Sequence, residues 1–282
     1  MKDFVAGIVL YNPEMDRLKK NVDSIISNVD KLIMIDNGSE NILEIINSYS
    51  NYEKIIIIKN KKNLGIAKAL NQIMSKADIL GYEWVLLLDQ DSISPPNIIS
   101  EYSGFINNID GNNEKIGILC PRILDLNSEN KVEKGNGCTK VEKCITSGSL
   151  NSVRVWKEVN KFDETMFIDG VDHDYCIRLI HAQFTIYQIN TVVLIHEIGN
   201  IRYRNFFGWS IKSLNHSPFR KFYIARNVIY MDRKYHSHIS IKTIGRLVKQ
   251  ILLVIFIEDN KKEKCKNILK GIKEGLNIII IP

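Results

Sequence analysis

Short apolar runs rich in Ile and Val alternate along the chain with longer, more polar segments. Four of the runs read as strands: Val5 to Leu10, Lys31 to Ile35, Lys54 to Lys59 and Trp84 to Leu88. The segments between them, Met15 to Ser27, Ile42 to Ser50 and Ile66 to Ala77, read as helices. Nearly continuous hydrophobic strands separated by helices are the pattern of a mostly parallel sheet, because the crossover helices cover both of its faces. Residues 1–90 therefore predict successive βαβ units, and the fold class is α/β. In such sheets ligands bind beyond the carboxyl ends of the strands. The polar residues that follow each strand are the first candidates for chemistry.

Beyond residue 105 the pattern loosens. A strand is expected at Ile116 to Cys120, a loop rich in Gly and Asn around 135–138, a helix at Asp172 to Ala182 and a strand at Thr191 to Ile195. From about residue 201 the segments become basic, amphipathic and helical, above all Ile239 to Ile257 and Lys261 to Leu276. A boundary near 200 separates a ligand-binding region, 1–200, from a basic helical C-terminal segment, 201–282. Charge sharpens that division. The net charge of +6 combines +12 over residues 201–282, with 17 Lys and Arg against 5 Asp and Glu, and −6 over the rest. A basic segment of this kind implies an anionic surface, either membrane headgroups or nucleic acid. Helices that mix Lys or Arg with Ile, Leu and Val suit a membrane interface. They suit equally a subdomain packed on the catalytic region or on a second subunit of a homodimer.

Composition excludes other classes. With 45% hydrophobic and 25% charged residues the chain is a folded globular protein, not a disordered one. Five cysteines, Cys120, Cys138, Cys144, Cys176 and Cys265, form no CxxC pair, which argues against a zinc site or a disulfide framework and fits a reducing cytoplasm. Phe4 to Leu10 is too short for a signal-peptide core with its flanks, so no export is expected. Ile251 to Ile257 and Ile278 to Ile281 fall far short of the roughly 20 residues that span a bilayer. The expected location is the cytoplasm, with peripheral contact on the inner face of the cell membrane as the one membrane option.

Asp89 and Asp91 are separated by one residue after an apolar strand, so an extended backbone would point both carboxylates to one side. Two hard oxygen ligands on one face suit Mg2+ or Mn2+ bridging to a diphosphate; a polar turn capping the strand is the plain alternative. His196 follows another apolar strand and either offers an imidazole to the same ion or serves structure. Asp36, in Asp36-Asn37-Gly38-Ser39, can accept hydrogen bonds from a base or ribose, with Gly38 allowing close backbone approach, although Asn-Gly is also an ordinary turn dipeptide. Asn63-x-Gly65-x-Ala67 opens a helix with small residues that admit either a ligand or tight packing on the sheet. Asp169, Asp172 and Asp174 cluster at the start of a helix, more carboxylates than capping requires, and one can deprotonate an acceptor hydroxyl. Arg178 is expected to pair with Asp174 along the helix. Arg226, in Tyr223-x-x-Arg226-Asn227, either neutralises phosphate as a leaving group departs or lies on a solvated helix face. Neither G-x-G-x-x-G nor G-x-x-x-x-G-K-[ST] occurs, which disfavours a dinucleotide dehydrogenase and a P-loop NTPase.

The ordered set Leu10-Tyr11-Asn12-Pro13, Asp36-Asn37-Gly38-Ser39, Asn63-Leu64-Gly65-Ile66-Ala67, Leu88-Asp89-Gln90-Asp91-Ser92, Ser147-Gly148-Ser149-Leu150, Phe162-Asp163-Glu164, Phe167 through Arg178, His196 and Tyr223 to Asn227 is far more specific than any member. It resembles the family-2 glycosyltransferases with the GT-A fold, in particular the bacterial rhamnosyltransferase-like branch that builds surface polysaccharides. The resemblance covers about residues 4–230. It implies inverting transfer from a nucleotide diphosphate sugar held by Tyr11, Asn12, Asp36, Asn63, Gly65, Lys68, Asp89, Gln90 and Arg226, with Asp36 near the base and Asp89 near the ribose. It also implies Asp91 and His196 as ligands of Mg2+ or Mn2+. Asp172 aligns with the family's catalytic base; Val171 replaces the usual glutamate before it, as in the rhamnosyltransferase-like branch, and Asp169 and Asp174 stay open as alternates. The implied donor is dTDP-L-rhamnose first and a UDP-hexose second, and the implied acceptor is a saccharide, lipid-linked. Two rivals remain. A sugar nucleotidyltransferase usually needs a Gly-rich basic loop where this chain has Tyr11-Asn12-Pro13-Glu14, and a basic nucleic-acid or membrane-binding module would explain the tail but not the strand-end set.

Overall fold

The four apolar runs become the parallel half of an eight-stranded sheet. In this computed structural model, which describes residues 4–109, 115–125, 135–196, 202–206, 209–236 and 238–280, β1 (Val5–Leu10), β2 (Lys31–Asp36), β3 (Ile55–Lys59) and β4 (Trp84–Asp89) run in the order β3-β2-β1-β4. The crossovers are α1 (Met15–Ile25), α2 (Ile42–Tyr49) and α3 (Ile66–Ile79). Alternate strand residues Ala6, Ile8, Leu10, Leu32, Met34, Leu86 and Leu88 are buried with Leu18, Val22 and Ile25 of α1 and Ile45 and Tyr49 of α2. On the opposite face α3 approaches so closely that a Cβ at Gly7 would overlap the Ile73 side chain.

The chain continues through α4 (Ile98–Asn108), β5 (Ile116–Asp125), β6 (Cys138–Val141), β7 (Ser149–Ser152), α5 (Val153–Glu158), α6 (Val171–His181) and β8 (Thr185–His196). These strands extend the sheet as β4-β7-β5-β8-β6. Here pairing is mixed: β7 is antiparallel to both β4 and β5, β8 is parallel to β5, and β6 is antiparallel to β8. The uninterrupted parallel run read from residues 1–90 therefore ends at β4, and beyond it only the β5–β8 pair is parallel. β7 carries no apolar run, since its buried Ser149 and Asn151 satisfy each other, Asn151 Nδ2 donating to Ser149 O at 3.0 Å and Oγ at 2.9 Å.

Contacts divide the chain into two units, Met1–Thr165 with Val171–Glu197, and Met166–Gly170 with Ile198–Pro282. The boundary expected near 200 falls among residues 197–201, outside the described ones. The second unit does not begin as a helix. It opens with an antiparallel hairpin, β9 (Arg202–Phe206) and β10 (Trp209–Ser213), which corrects the all-helical expectation. In β10 Trp209-Ser210-Ile211-Lys212 alternates with the strand period of two, a signal that the basic charge obscured. Three helices follow: α7 (Pro218–Tyr235), α8 (Ile241–Phe256) and α9 (Lys261–Asn277). Ser217 and Ser240 cap α7 and α8, accepting from Arg220 N at 3.3 Å and Thr243 N at 3.2 Å. Ala225, Ile229, Leu247, Val254 and Ile268 form the core between the helices. α9 lies on α7 at backbone distance, since a Cβ at Gly275 would stand 2.6 Å from the Arg226 carbonyl. Among the described residues no helix is long and apolar enough to cross a membrane.

Candidate active site

Register sets the floor of the site. Leu10 pairs with Asp36, Val9 with Asp89 and Asp36 with Lys59, so β1, β2, β3 and β4 end at one level on one edge. Chain order reverses between β1 and β4, the crevice where open α/β sheets bind ligands. The two loops that leave this crevice are joined: Tyr11 N donates to Gln90 Oε1 at 2.9 Å, and Gln90 Nε2 returns to Tyr11 O at 3.4 Å.

The loops after β2 and β3 are stitched by amides. Asp36 is buried, and its carboxylate accepts from Gly38 N at 3.2 Å and Ser39 N at 3.3 Å, which fixes the turn. Asn37 Oδ1 accepts from Asn60 Nδ2 at 3.1 Å and Leu64 N at 3.0 Å, while its Nδ2 donates to Asn63 Oδ1 at 3.0 Å and Gly65 O at 3.2 Å. Asn63 Oδ1 also accepts from Gly65 N at 2.9 Å, with Gly65 at φ +88° opening α3. Asn12 joins the same set, its N donating to Ser39 Oγ at 2.8 Å and its Oδ1 accepting from Glu40 N at 2.8 Å. Tyr11, Asn12, Asp36, Asn63 and Gly65 are thus brought together.

The extended conformation expected for Asp89-Gln90-Asp91 is not observed. β4 ends at Asp89, and Ser92 N bonds back to Asp89 O at 3.2 Å, closing a turn. Asn21 Nδ2 holds the Asp89 carbonyl, and Ser147 Oγ accepts from Asp89 N at 3.3 Å and lies 2.6 Å from Ser92 Oγ. The Asp91 side chain is exposed. An isolated antiparallel bridge from Ile93 to Ile195 sets the end of β8, and so the backbone of His196, beside this turn. The His196 side chain lies outside the described residues.

Lys68 of α3 pairs with Glu164 at 2.8 Å, near a knot that the sequence did not reveal. Asn71, on the same helix, accepts from Trp156 Nε1 at 3.0 Å and Phe162 N at 2.9 Å and donates to Phe162 O and Glu164 Oε1 at 2.9 Å. Four bonds to residues some 90 positions away make it the tie between α3 and the approach to α6.

The three candidate carboxylates of residues 169–174 have separate fates. Asp174 is fully buried against Arg178 at 2.8 Å, the helix pair expected, and Arg178 also donates to the Val159 carbonyl. Asp169, at φ +65°, accepts from Arg220 Nε and Nη2 at 2.8–3.1 Å. Asn227 Nδ2 donates to the carbonyls of Ile168 and Asp169 at 2.8 and 2.7 Å. Asp172 stands half-buried in the first turn of α6, its Oδ1 accepting from His173 N at 2.8 Å. Arg226 lies within the second unit, donating to Asn227 Oδ1 at 3.0 Å and Glu274 Oε1 at 3.2 Å, with its guanidinium 4.9 Å from the Tyr223 ring centre. That position makes it a tie from α7 to α9.

Known proteins share this frame. The sequence model of Glycosyl transferase family 2 matches residues 6–112, which hold β1 through α4. The dTDP-rhamnosyl transferase RfbF of Shigella flexneri is 27% identical over 96% of this chain and 94% of its own length. Among solved structures, GalNAc-T7 with UDP, GalNAc and Mn2+ superposes with a TM-score of 0.63 at 12% identity, covering 99% of this chain; the chain spans 56% of that protein. TarS 1-349 of S. aureus in complex with UDP-GlcNAc superposes with a TM-score of 0.58 at 14% identity, over 96% of this chain and 81% of that one. Strand-end motifs, a relative matched along nearly the whole chain and the shared fold agree: residues 6–112 carry the sequence pattern of Glycosyl transferase family 2, and the chain has the GT-A fold of these glycosyltransferases.

Proposed function

We propose that the chain transfers a sugar from a nucleotide diphosphate donor, L-rhamnose from dTDP-rhamnose first, to a hydroxyl of a saccharide acceptor, with inversion at the anomeric carbon. The donor choice rests on the full-length likeness to a dTDP-rhamnosyl transferase. The observation that carries the reaction type is the register of β1, β2 and β4, which gathers Tyr11, Asn12, Asp36, Asn63, Gly65, Asp89 and Gln90 at one switch point. Asp36 then faces the base, Asp89 the ribose, and Lys68 lies one turn into the helix that Gly65 opens.

Asp91, whose side chain is exposed beside the β4 turn, would offer a carboxylate to a hard divalent cation, and the family resemblance names His196 as its second ligand. Mg2+ and Mn2+ habitually keep water and phosphate oxygens beside one or two protein ligands, so a pair of protein ligands would suffice. A cation held there would supply neutralisation of charge on the departing diphosphate. Asp172 takes the proton from the acceptor hydroxyl as its oxygen bonds to the anomeric carbon and the carbon–oxygen bond to the diphosphate breaks. Asp169 and Asp174, each engaged by an arginine, serve to hold the segment around Asp172.

The test is thermal stabilisation by dTDP-rhamnose, UDP-glucose and UDP-GlcNAc, with and without Mn2+. A donor at about 100 times its Kd adds about 2.7 kcal/mol, read as a rise of about 5 °C or more. Asp91→Asn is expected to remove the Mn2+-dependent part of that rise. Asp172→Asn is expected to keep it while turnover falls about 10²- to 10⁴-fold. The reading fails if no nucleotide diphosphate stabilises the protein, or if Asp172→Asn leaves turnover unchanged.

A further inference from the structure

α8 has two apolar sides. Thr243, Leu247 and Val254 are buried within the second unit, whereas Ile241, Ile244, Val248, Leu252, Ile255 and Phe256 are 43–88% exposed. At 100° per residue those six fall in one stripe about 120° wide, running the full length of a helix roughly 24 Å long. Lys242, Arg246 and Lys249 occupy the neighbouring sector on one flank, and α8 contains no Asp or Glu. The outer face of α9 repeats the mixture, with Lys262, Lys266 and Lys273 exposed beside Leu269 and Leu276.

We propose that α8 seats the protein on an anionic lipid bilayer, lying in the plane of the interface with its apolar stripe at the acyl boundary. Lys242, Arg246 and Lys249 then stand at the level of the headgroup phosphates. Charge chooses this occupant. A second copy packed antiparallel on the stripe about a two-fold axis would set the same three cations against their own counterparts, and one packed parallel would leave them beside a helix that has no acid to answer them. A nucleic acid would meet the cations but leave the stripe in water. At 16 residues the helix is too short to span a bilayer and has the form of an in-plane anchor. This inference is independent of the donor chemistry.

The experiment is flotation of the full-length protein with vesicles of phosphatidylcholine alone and of phosphatidylcholine with about 30% phosphatidylglycerol, at low and high salt. Binding to the anionic vesicles is expected to be about 10-fold or more tighter than to neutral ones and to weaken as salt rises. Val248→Ser with Leu252→Ser is expected to reduce binding about 10-fold or more, and Lys242→Gln with Arg246→Gln and Lys249→Gln to abolish the anionic preference. Circular dichroism and melting temperature check that each variant is folded. Ile244→Ser with Ile255→Ser reads the same stripe independently should the first pair lower the melting temperature. The proposal is overturned if the wild-type protein does not float with anionic vesicles, or if the folded serine variants float as well as it does. It is overturned equally if the glutamine variant keeps its anionic preference. Light scattering that shows a dimer dispersed by the serine variants, without vesicle binding, assigns the face to a second copy instead.

Discussion

At Gly38 the backbone has φ +87°, and a Cβ would stand 2.7–2.9 Å from the backbone of Lys62 and Asn63. An alanine there meets both left-handed strain and a clash with main chain, which cannot turn aside as a side chain can. Gly38→Ala is expected to destabilise the protein by about 2 kcal/mol or more and to weaken donor binding, because the same turn holds Asp36. Chemical denaturation and titration with a nucleotide diphosphate sugar check the two effects. Residues of this kind were legible in the sequence, since a turn dipeptide after a strand announces its own backbone. The bonds made by Asn37, Asn71 and Ser147 were not. Their partners are distant in sequence, as Asn71 with Phe162 and Ser147 with Asp89, and only the sheet brings them within bonding distance. Arg226 was singled out from its motif, but its bond to Glu274, 48 residues away, could not be.

Between elements, the buried centre of the second unit is ionic. Glu258, just beyond α8, accepts from Lys221 of α7 at 2.7 Å, Lys264 of α9 at 2.9 Å and Ser213 of β10 at 2.6 Å. Burial alone pushes the Glu258 carboxyl up, but hydrogen bonds from Lys221, Ser213 and Lys264 outweigh it and hold the carboxyl below its usual range. A folded-state value lowered in this way contributes stability that is present above the unfolded value of about 4.5 and is lost as pH falls through the folded one. Melting temperature is therefore expected to drop below about pH 4.5, and denaturation scans from pH 7 to 3 check it. Glu258→Gln leaves Lys221 and Lys264 buried without a carboxylate and is expected to cost about 3–5 kcal/mol at pH 7. The helices around this centre could be read from periodicity, and the first four strands from their apolar runs. β7 could not, because its buried residues are polar, and the β9–β10 hairpin was hidden by a basic composition that drew attention to helices.

For the whole molecule, the chain order matters as much as the contacts. Residues 166–170 leave the first unit, group with the second and return at Val171, directly before Asp172. Arg220 and Asn227 hold that passage at Asp169 and Ile168. If Asp172 is the base proposed above, Arg220→Ala with Asn227→Ala is expected to reduce turnover about 10²-fold by loosening the residues that lead into it, since small misplacements of a reacting group have costs of that order. Donor affinity, which the proposed function assigns to the other strand ends, is expected to hold, and a comparison of turnover with donor-induced melting shifts separates the two.

This threading also limits how such enzymes exchange parts. A crossover at a single point near residue 200 would join a new C-terminal segment to an old 166–170 passage, pairing Ile168 and Asp169 with foreign counterparts of Arg220 and Asn227. Grafting that segment successfully between relatives therefore requires two breakpoints, one carrying the tail and one carrying five residues from the middle of the chain, so these distant stretches should be inherited together.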